Sequence, residues 1–281
     1  MKVSELLRTI AQRFGRAGLH YGHGTHSPKE EAAWLVSSVL GLPLNLEEKI
    51  LSRQNLRIET LAHRRIRERI PLAYLLKEAW LGGHSFYVDK RAIVPRSVIA
   101  ELLRDRLSPW LVHEPKRALD LCTGSGCLAV LLALAFECSR VDAADLSPRA
   151  LEVARINIKR YCLGKRIRGV RSDLFQGLGK TKYDLIVSNP PYVTSRSMRK
   201  LPKEYRHEPA MALASGTDGL DLLRRILGGA RKHLKPHGLL ICEIGGNRRA
   251  LERAYPRIEF GWPETSDPGS VFVLQQEQLP R

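Results

Sequence analysis

The sequence Asn189-Pro190-Pro191-Tyr192 has the residue types needed to hold a planar amide or an exocyclic amine. It directly follows the apolar run 183–188, which predicts a buried strand. An amide nitrogen delocalises its lone pair, so it attacks an electrophilic methyl group only when acceptors draw its N–H bonds out of plane. An Asn side-chain oxygen and a Pro carbonyl can be such acceptors, and the Pro-Pro step makes the turn stiff. The alternative is an ordinary turn, since Asn-Pro often punctuates loops.

A glycine-rich turn upstream predicts a nucleotide-binding site. Residues 118–126 are interpreted as a short buried strand that runs into this turn. The turn alone does not distinguish a nicotinamide cofactor from S-adenosylmethionine as the ligand. The reason is that Gly124, Gly126 and Ala129 also satisfy the dinucleotide-binding fingerprint. Asp145 ends the next predicted strand, about 20 residues beyond Gly124, where an acid accepts the two ribose hydroxyls. Alternatively, Asp145 only stabilises the start of the helix that follows it.

A third acidic position, Asp173, follows the predicted strand 167–172. Its carboxylate could accept the amino group of adenine, and Leu174 could pack on the adenine ring. The glycine turn, the two acids and the Asn-Pro-Pro-Tyr segment each follow a successive predicted strand. The carboxyl ends of parallel strands form the ligand-binding edge of an open α/β sheet. Hydride transfer by a dehydrogenase does not require the Asn-Pro-Pro-Tyr segment, so the four segments together favour S-adenosylmethionine as the ligand.

In this order and spacing, the four segments resemble the class I S-adenosylmethionine-dependent methyltransferases. The stretch from Asn189 to Asp221 is similar to the HemK family of protein glutamine methyltransferases. Within that family, the segments Tyr21-Gly22-His23-Gly24-Thr25 and Tyr205-Arg206-His207-Glu208-Pro209 resemble the branch called PrmB more than the branch that methylates release factors. PrmB members methylate a glutamine of large-subunit ribosomal protein three. The resemblance covers essentially the whole chain.

The resemblance assigns roles to individual residues. It implies a cofactor site formed by Asp120, Cys122, Thr123, Gly124, Ser125, Gly126, Asp145, Asp173, Leu174 and Asn189. It implies a substrate-amide site formed by Asn189, Pro190, Pro191 and Tyr192, in which the catalytic residues are Asn189, Pro190 and Tyr192. Two positions depart from the commonest pattern of the family. Cys122 stands where many members have Gly, and Leu174 stands where release-factor methyltransferases often have Trp. Neither change removes a polar group that the site needs.

The composition indicates a cytoplasmic protein with an affinity for polyanions. Forty-six Lys and Arg against 29 Asp and Glu give a net charge of +17, which favours contact with ribosomal RNA. A solvated helix face also explains the basic run between Glu152 and Asp173. The five cysteines are scattered and odd in number, so they predict reduced core residues and no metal site. The amino terminus predicts an amphipathic helix instead of a signal peptide, and no apolar stretch approaches ~18 residues, so no membrane span is expected.

The predicted elements divide the chain into three parts. Residues 1–78 predict a small helical domain for substrate recognition, with helices near 3–18, 28–41 and 56–69. Residues 79–95 predict a linking β-hairpin that lines the substrate cleft. Residues 96–281 predict the S-adenosylmethionine-binding domain, an α/β Rossmann-like fold. Its seven-stranded, mainly parallel sheet ends in an antiparallel edge pair, as the resemblance implies. The strands are expected near 117–121, 140–144, 167–172, 183–188, 238–244, 257–260 and 271–275.

The resemblance implies transfer of a methyl group from S-adenosylmethionine to the side-chain amide nitrogen of a glutamine in large-subunit ribosomal protein three. A release-factor glutamine methyltransferase is the nearest alternative, and it differs in partner and not in chemistry. An RNA or DNA base methyltransferase is a further alternative, because an exocyclic amine poses the same electronic problem and basicity suits a nucleic acid. A noncatalytic ribosome-assembly binder with this fold is disfavoured, since all four motifs are intact.

Overall fold

The first part of the chain folds into four helices that pack on one another. The computed structural model describes residues 1–280. The helices are α1 (Val3–Arg16), α2 (Pro28–Leu40), α3 (Ser52–Glu68) and α4 (Leu72–Leu76). The buried side chains of α1 recur every three or four residues, so they form one apolar face, and α1 packs against α2. Ser27 accepts a hydrogen bond from the backbone N–H of Glu30 at 3.2 Å, and this cap starts α2 at the predicted residue.

The ends of these helices follow local signals in the sequence. Gly41, with a φ of 89°, follows the last residue of α2. Arg69 adopts a left-handed conformation after α3, shortly before Pro71. Helix α3 begins upstream of the predicted start near residue 56, because the side chain of Gln54 accepts the N–H of Leu51 at 3.1 Å and caps the first turn. Among the helices of residues 1–280, none is both long enough and apolar enough to span a membrane.

A buried arginine joins three segments of the chain. Arg65 in α3 is 1% exposed. It donates to Glu31 in α2 at 3.1 Å, to Glu204 at 3.2 Å and to the carbonyl of His20 at 2.9 Å. Glu204 lies in a short 3₁₀ helix, Lys203–His207, far along the sequence. A guanidinium carries five donors in a fixed fork, so one Arg can hold three acceptors in place.

A two-stranded hairpin follows the helices. Its strands, β1 (Ala79–Leu81) and β2 (His84–Phe86), are joined by Gly82-Gly83, and both glycines have positive φ. Two-residue hairpin turns favour glycine for this reason. The hairpin is shorter than predicted, because residues 91–95 form no strand. Within the predicted segment 79–95, strands β1 and β2 do not line the clefts described below, whereas residues 91–93 do.

The rest of the chain forms an α/β sheet of six strands within residues 1–280. In chain order the strands are β3 (Arg117–Leu121), β4 (Arg140–Asp145), β5 (Ile167–Arg171), β6 (Tyr183–Ser188), β7 (Leu234–Glu243) and β8 (Val271–Gln275). The order across the sheet is β5-β4-β3-β6-β7-β8. The first five strands run parallel, and β8 runs antiparallel to β7. The helices are α5 (Ile99–Arg104), α6 (Cys127–Ala135), α7 (Pro148–Arg160), α8 (Ser195–Met198), α9 (Asp221–His233) and α10 (Arg248–Ala254).

Alternate residues of the strands pack against opposite layers of helices. In β3, Ala118 belongs to a buried cluster with residues of α5, α6 and α7, whereas Leu119 belongs to a cluster with residues of α9 and α10. Successive side chains of a strand point to opposite faces, so a strand covered on both sides must be apolar along its length. The continuous apolar runs in the sequence therefore reflect helices on both faces of the sheet, which is a doubly wound architecture.

The predicted seventh strand at 257–260 is not part of the sheet, and the prediction of seven strands is corrected to six. A single antiparallel bridge between Gly261 and Val273 takes its place, with hydrogen bonds of 3.0 and 2.8 Å. Pro256 and Pro263 flank this segment. Proline has no N–H to donate to a ladder and restricts the residue before it, so the pairing does not extend in either direction.

Replacement of Arg65 by Ala is expected to lower the free energy of unfolding by about 3–5 kcal/mol, because it leaves the buried carboxylate of Glu31 without a countercharge. Glu204 keeps Arg69 at 3.1 Å. The matched control is Arg64→Ala. Arg64 makes an exposed pair with Glu68 at i+4, and its loss is expected to cost far less than that of Arg65. Urea denaturation of the wild-type protein and both variants at neutral pH measures the two values. Equal losses in the two variants would contradict the stabilising role of Arg65.

Candidate active site

The four sequence segments meet at the carboxyl edge of the sheet. Strands β5, β4, β3 and β6 are neighbours, so the loops that follow them lie side by side. These loops form a cleft with an empty volume of about 790 Å³, which we call the strand-edge cleft. Six of the ten residues predicted to bind the cofactor line it: Cys122, Gly124, Asp145, Asp173, Leu174 and Asn189.

The glycine turn depends on positive backbone φ angles. The values are 63° at Cys122, 56° at Gly124 and 79° at Gly126. A β-carbon on Gly126 would lie 2.9 Å from the β-carbon of Ala154, so glycine is needed where the turn approaches α7. Cys122 adopts a left-handed conformation that glycine adopts at less cost.

Asp120 lies beneath the glycine turn and does not line the cleft. Its Oδ2 accepts the hydroxyl of Thr123 and the backbone N–H of Ala129, the latter at 2.9 Å. Burial raises the pKa of Asp120 to about 7, although these hydrogen bonds oppose the shift. Thr123, Ser125 and Gly126 also do not line the cleft. The structure therefore places these four predicted cofactor residues behind the wall, where they shape the turn.

Asp145, at the end of β4, joins the glycine turn to the start of α7. Its Oδ2 accepts the N–H of Gly124 at 2.8 Å, and its Oδ1 accepts the N–H of Ser147 at 2.8 Å. Burial raises the pKa of this carboxyl, and the backbone hydrogen bonds only partly oppose that shift. Asp145 thus stabilises the start of the helix and also lines the cleft, so the two roles weighed from the sequence are compatible. Each oxygen keeps a lone pair for a ligand hydroxyl.

Asp173 and Leu174 follow β5. The Oδ1 of Asp173 accepts Nη2 of Arg225 at 2.8 Å, and Arg225 also lines the strand-edge cleft. Leu174 has a φ of 51°, and its carbonyl accepts the hydroxyl of Ser172. The same hydroxyl oxygen accepts the N–H of Gly177 at 2.8 Å, which fixes the loop. Within residues 1–280, these acids belong to no group of three or more His, Cys, Asp or Glu side chains that could hold a metal ion.

Asn189 separates the strand-edge cleft from a second cavity. This second cavity, which we call the Tyr192 cavity, has an empty volume of about 530 Å³ and is lined by the whole Asn-Pro-Pro-Tyr segment. Asn189 and Pro191 line both spaces. The Nδ2 of Asn189 donates to the backbone carbonyl of Arg96 at 2.9 Å, so Oδ1 is left to accept a hydrogen bond. Asn189 therefore keeps an unpaired acceptor oxygen in the wall that the two spaces share.

Tyr192 is held in place by Glu243. Its hydroxyl donates to Oε1 of Glu243 at 3.2 Å, and Oε2 accepts the hydroxyl of Ser97. A β-carbon on Gly245 would lie 2.7 Å from the Tyr192 ring, so the absence of a side chain there makes room for the ring. Burial raises the pKa of Glu243 to about 7, and the hydrogen bonds from Ser97 and Tyr192 oppose the shift without cancelling it.

Comparison with known proteins identifies the family. Residues 100–247 match the family model described as Methyltransferase small domain. The chain is 50% identical to the ribosomal protein uL3 glutamine methyltransferase of Neisseria meningitidis serogroup A, and the match covers 99% of this chain and 94% of that protein. The chain belongs to the ribosomal protein uL3 glutamine methyltransferase family. The relative from Burkholderia pseudomallei is 47% identical over 99% of this chain and 95% of its own length.

A solved structure agrees with the fold. The catalytic domain of hMettl16, determined in complex with MAT2A 3'UTR hairpin 6, aligns with a TM-score of 0.54 at 17% identity. The alignment covers 86% of this chain and 91% of that one, and it shows the fold alone. Family membership confirms the resemblance to the HemK family and its PrmB branch. It also confirms the class I methyltransferase fold, the enzyme class and S-adenosylmethionine as the cofactor.

A buried carboxylate holds Arg96, whose carbonyl binds Asn189. The two terminal nitrogens of Arg96 donate to the two oxygens of Glu208, each at 2.7 Å. The N–H of Val94 also donates to Glu208, at 2.9 Å. Burial raises the pKa of Glu208, but the hydrogen bonds and the charge of Arg96 outweigh burial and lower the pKa to about 2. Glu208 is therefore ionised at neutral pH, and the ion pair fixes the backbone at Arg96.

Sequence reasoning missed several residues of the site. Arg225 lines the strand-edge cleft, and Arg96 lines the Tyr192 cavity. Glu208 lay in a segment that carried the family resemblance, so part of the signal for Arg96 was present. The two residues are 112 positions apart in the sequence, however, and no local spacing connects them.

The buried carboxyl of Glu243 is expected to make stability depend on pH. Its pKa is raised above that of an unfolded Glu, so between about pH 4.5 and the raised pKa of about 7 unfolding releases a proton. The free energy of unfolding of the wild-type protein should therefore fall, relative to that of Glu243→Gln, as the pH rises through this window. Urea denaturation of both proteins at several pH values measures the difference. A constant difference across the window would contradict the raised pKa.

Proposed function

We propose that this protein transfers a methyl group from S-adenosylmethionine to the side-chain amide nitrogen of a glutamine in ribosomal protein uL3. The names of its relatives support this substrate. The observation that carries the proposal is the position of Asn189, which forms part of the wall of both the strand-edge cleft and the Tyr192 cavity. A methyl donor in the cleft and a glutamine side chain in the cavity would meet beside this residue.

The residues of the strand-edge cleft fit the cofactor, because they combine two carboxylates with an apolar wall. S-adenosylmethionine supplies an electrophilic methyl group bound to a positively charged sulfur. Asp145 would accept the ribose hydroxyls with the lone pairs that Gly124 and Ser147 leave free. Asp173 would accept the adenine amine, and Leu174 would pack on the adenine ring. The left-handed glycine turn would allow its backbone to approach the ligand closely.

Asn189 and Pro190 would activate the glutamine amide. Their oxygens would accept its two N–H groups and draw them out of the amide plane, which frees the nitrogen lone pair for the methyl group. The contact of Asn189 with Arg96 supports this role, because it leaves Oδ1 as the free atom of the side chain. The Pro190-Pro191 step would hold the carbonyl, and Tyr192 would pack against the amide plane. The methylated nitrogen would then release one proton to water.

Each of the three predicted parts of the chain would have its own role. Residues 1–78 would recognise the substrate protein, residues 79–95 would link the two domains, and residues 96–281 would bind the cofactor, with residue 281 outside the described residues. A ribosomal substrate supports a cytoplasmic location. The net charge of +17 supports contact with ribosomal RNA in assembly intermediates.

The purified protein is expected to transfer a radiolabelled methyl group from S-adenosylmethionine to uL3, because the names of its relatives specify this substrate. A release factor and protein-free ribosomal RNA serve as competing substrates. Mass spectrometry of labelled uL3 should place one added methyl group on a glutamine side chain. Labelling of the release factor in place of uL3 would contradict the proposed substrate, and labelling of RNA alone would contradict the proposed substrate class.

Replacement of Asn189 by Ala is expected to lower kcat by about 10²–10³-fold, the usual effect of removing one preorganised hydrogen-bonding group from a site of this kind. The affinity for S-adenosylmethionine should change by only a small factor, since the other groups of the cleft remain. Steady-state kinetics and calorimetry measure the two effects. The matched control is Asn45→Ala, which makes the same change at an exposed position and should leave kcat unchanged. Full turnover in Asn189→Ala would refute the acceptor role.

A further inference from the structure

A basic groove lies beside the strand-edge cleft. Its empty volume is about 950 Å³, and its lining comes both from the helical part of the chain and from the α/β part. Arg91 lines this groove as well as the strand-edge cleft, so the two spaces are neighbours. We call it the basic groove, after the five Lys and Arg side chains in its lining, Arg64, Lys77, Lys90, Arg91 and Arg149.

Three of these positive charges are left without a partner. Asp89 is the one carboxylate in the lining among residues 1–280, and it is committed to Arg91, with a contact of 2.7 Å. Arg64 is paired with a glutamate on its own helix at 3.1 Å. The three cations that remain are Lys77, Lys90 and Arg149. Their side chains are exposed and make no ion pair and no hydrogen bond within residues 1–280. The groove therefore presents a net positive surface to a ligand.

The chemistry of the groove favours a phosphate backbone over nucleic-acid bases. Tyr74 supplies the one Phe, Tyr or Trp ring in the lining among residues 1–280, and it is buried, with its hydroxyl bound to the carbonyl of Ala92 at 2.7 Å. It is thus not free to stack on a base. The charged groups of lysine and arginine can bind phosphates without contacting the base edges. Several separate cations along a groove match the regularly spaced phosphates of a nucleic-acid backbone.

We propose that the basic groove binds the phosphate backbone of ribosomal RNA while the glutamine of the substrate protein occupies the Tyr192 cavity. This inference rests on the proposed function, because it takes the substrate to be a ribosomal protein that is already in contact with RNA. Binding through phosphates is independent of sequence and weakens steeply as salt rises. It would bring the enzyme close to its substrate protein on an assembling subunit.

The test compares two triple variants that lose the same charge. The groove variant is Lys77→Gln, Lys90→Gln and Arg149→Gln. The control variant is Arg8→Gln, Arg53→Gln and Arg57→Gln, which are exposed cations outside the groove without an ion pair among residues 1–280. Fluorescence anisotropy with a labelled transcript of large-subunit ribosomal RNA, over a range of salt, gives the affinity and its salt dependence for each protein.

The groove variant is expected to bind this RNA at least about tenfold more weakly than the wild-type protein. The slope of log K against log salt, which is negative, should become shallower by about 2–3, because three phosphate contacts are lost. The control variant should stay within about threefold of the wild-type affinity. An equal loss in both triple variants would overturn the proposal, since net charge alone would then explain binding. Competition by polyglutamate as effective as that by unlabelled RNA would overturn it in favour of an acidic peptide.

Methylation assays separate this inference from the proposed function. Isolated uL3 should be methylated equally by the wild-type protein and the groove variant, whereas methylation of uL3 bound to ribosomal RNA should fall in the groove variant. Equal methylation of the RNA-bound substrate by the two proteins would overturn the role of the groove. If the wild-type protein failed to methylate uL3 in either form, the proposed function would fail, while a loss of RNA affinity in the groove variant would still establish the RNA site.

Discussion

The orientation of the Asn189 side chain depends on one ion pair, which Arg96 makes with a buried carboxylate. Glu208, which is 5% exposed, holds Arg96 through two hydrogen bonds of 2.7 Å, and the carbonyl of Arg96 binds Nδ2 of Asn189. An Asn side chain has an oxygen that accepts and a nitrogen that donates, and the two are similar in shape. Without a fixed partner for the nitrogen, either group could turn towards a bound amide. The ion pair thus decides which atom of Asn189 is free.

The same ion pair connects the helical part of the chain to the Tyr192 cavity. The ring of His23 lies 4.5 Å from the ring of Tyr205, and its Nε2 is 3.7 Å from Glu208. Tyr205 lines the cavity and lies beneath the guanidinium of Arg96 at 5.3 Å. A displacement of the helical part would therefore alter the cavity wall and the position of Arg96 together. This coupling gives a physical reason why the two segments that carried the resemblance to the PrmB branch pack against each other.

The strands could be predicted where the decisive signal is local. Strands β3, β6 and β8 begin and end at the predicted residues, because apolar runs bounded by turn residues mark both ends. The segment 257–260 has a similar pattern and yet forms no strand. A strand needs a partner along its whole length, and the flanking Pro256 and Pro263 restrict pairing to one bridge. The pattern of side chains predicts burial in both cases, whereas the ladder depends on backbone groups that the pattern does not describe.

The difference between side-chain pattern and backbone pairing also explains which parts of the site could be predicted. The glycine turn and the acids after the strands are marked by residue type, so their gathering at one sheet edge followed from the sequence. Motif matching did not separate Asp145, which lines the cleft, from Asp120, which supports the turn from behind. Arg96 could not be predicted, because it binds Asn189 through its backbone carbonyl. Every residue has this group, so the residue type carries no signal for the contact. Only its side-chain pairing with Glu208 distinguishes this position, and that pairing exists only once the fold has brought the two residues together.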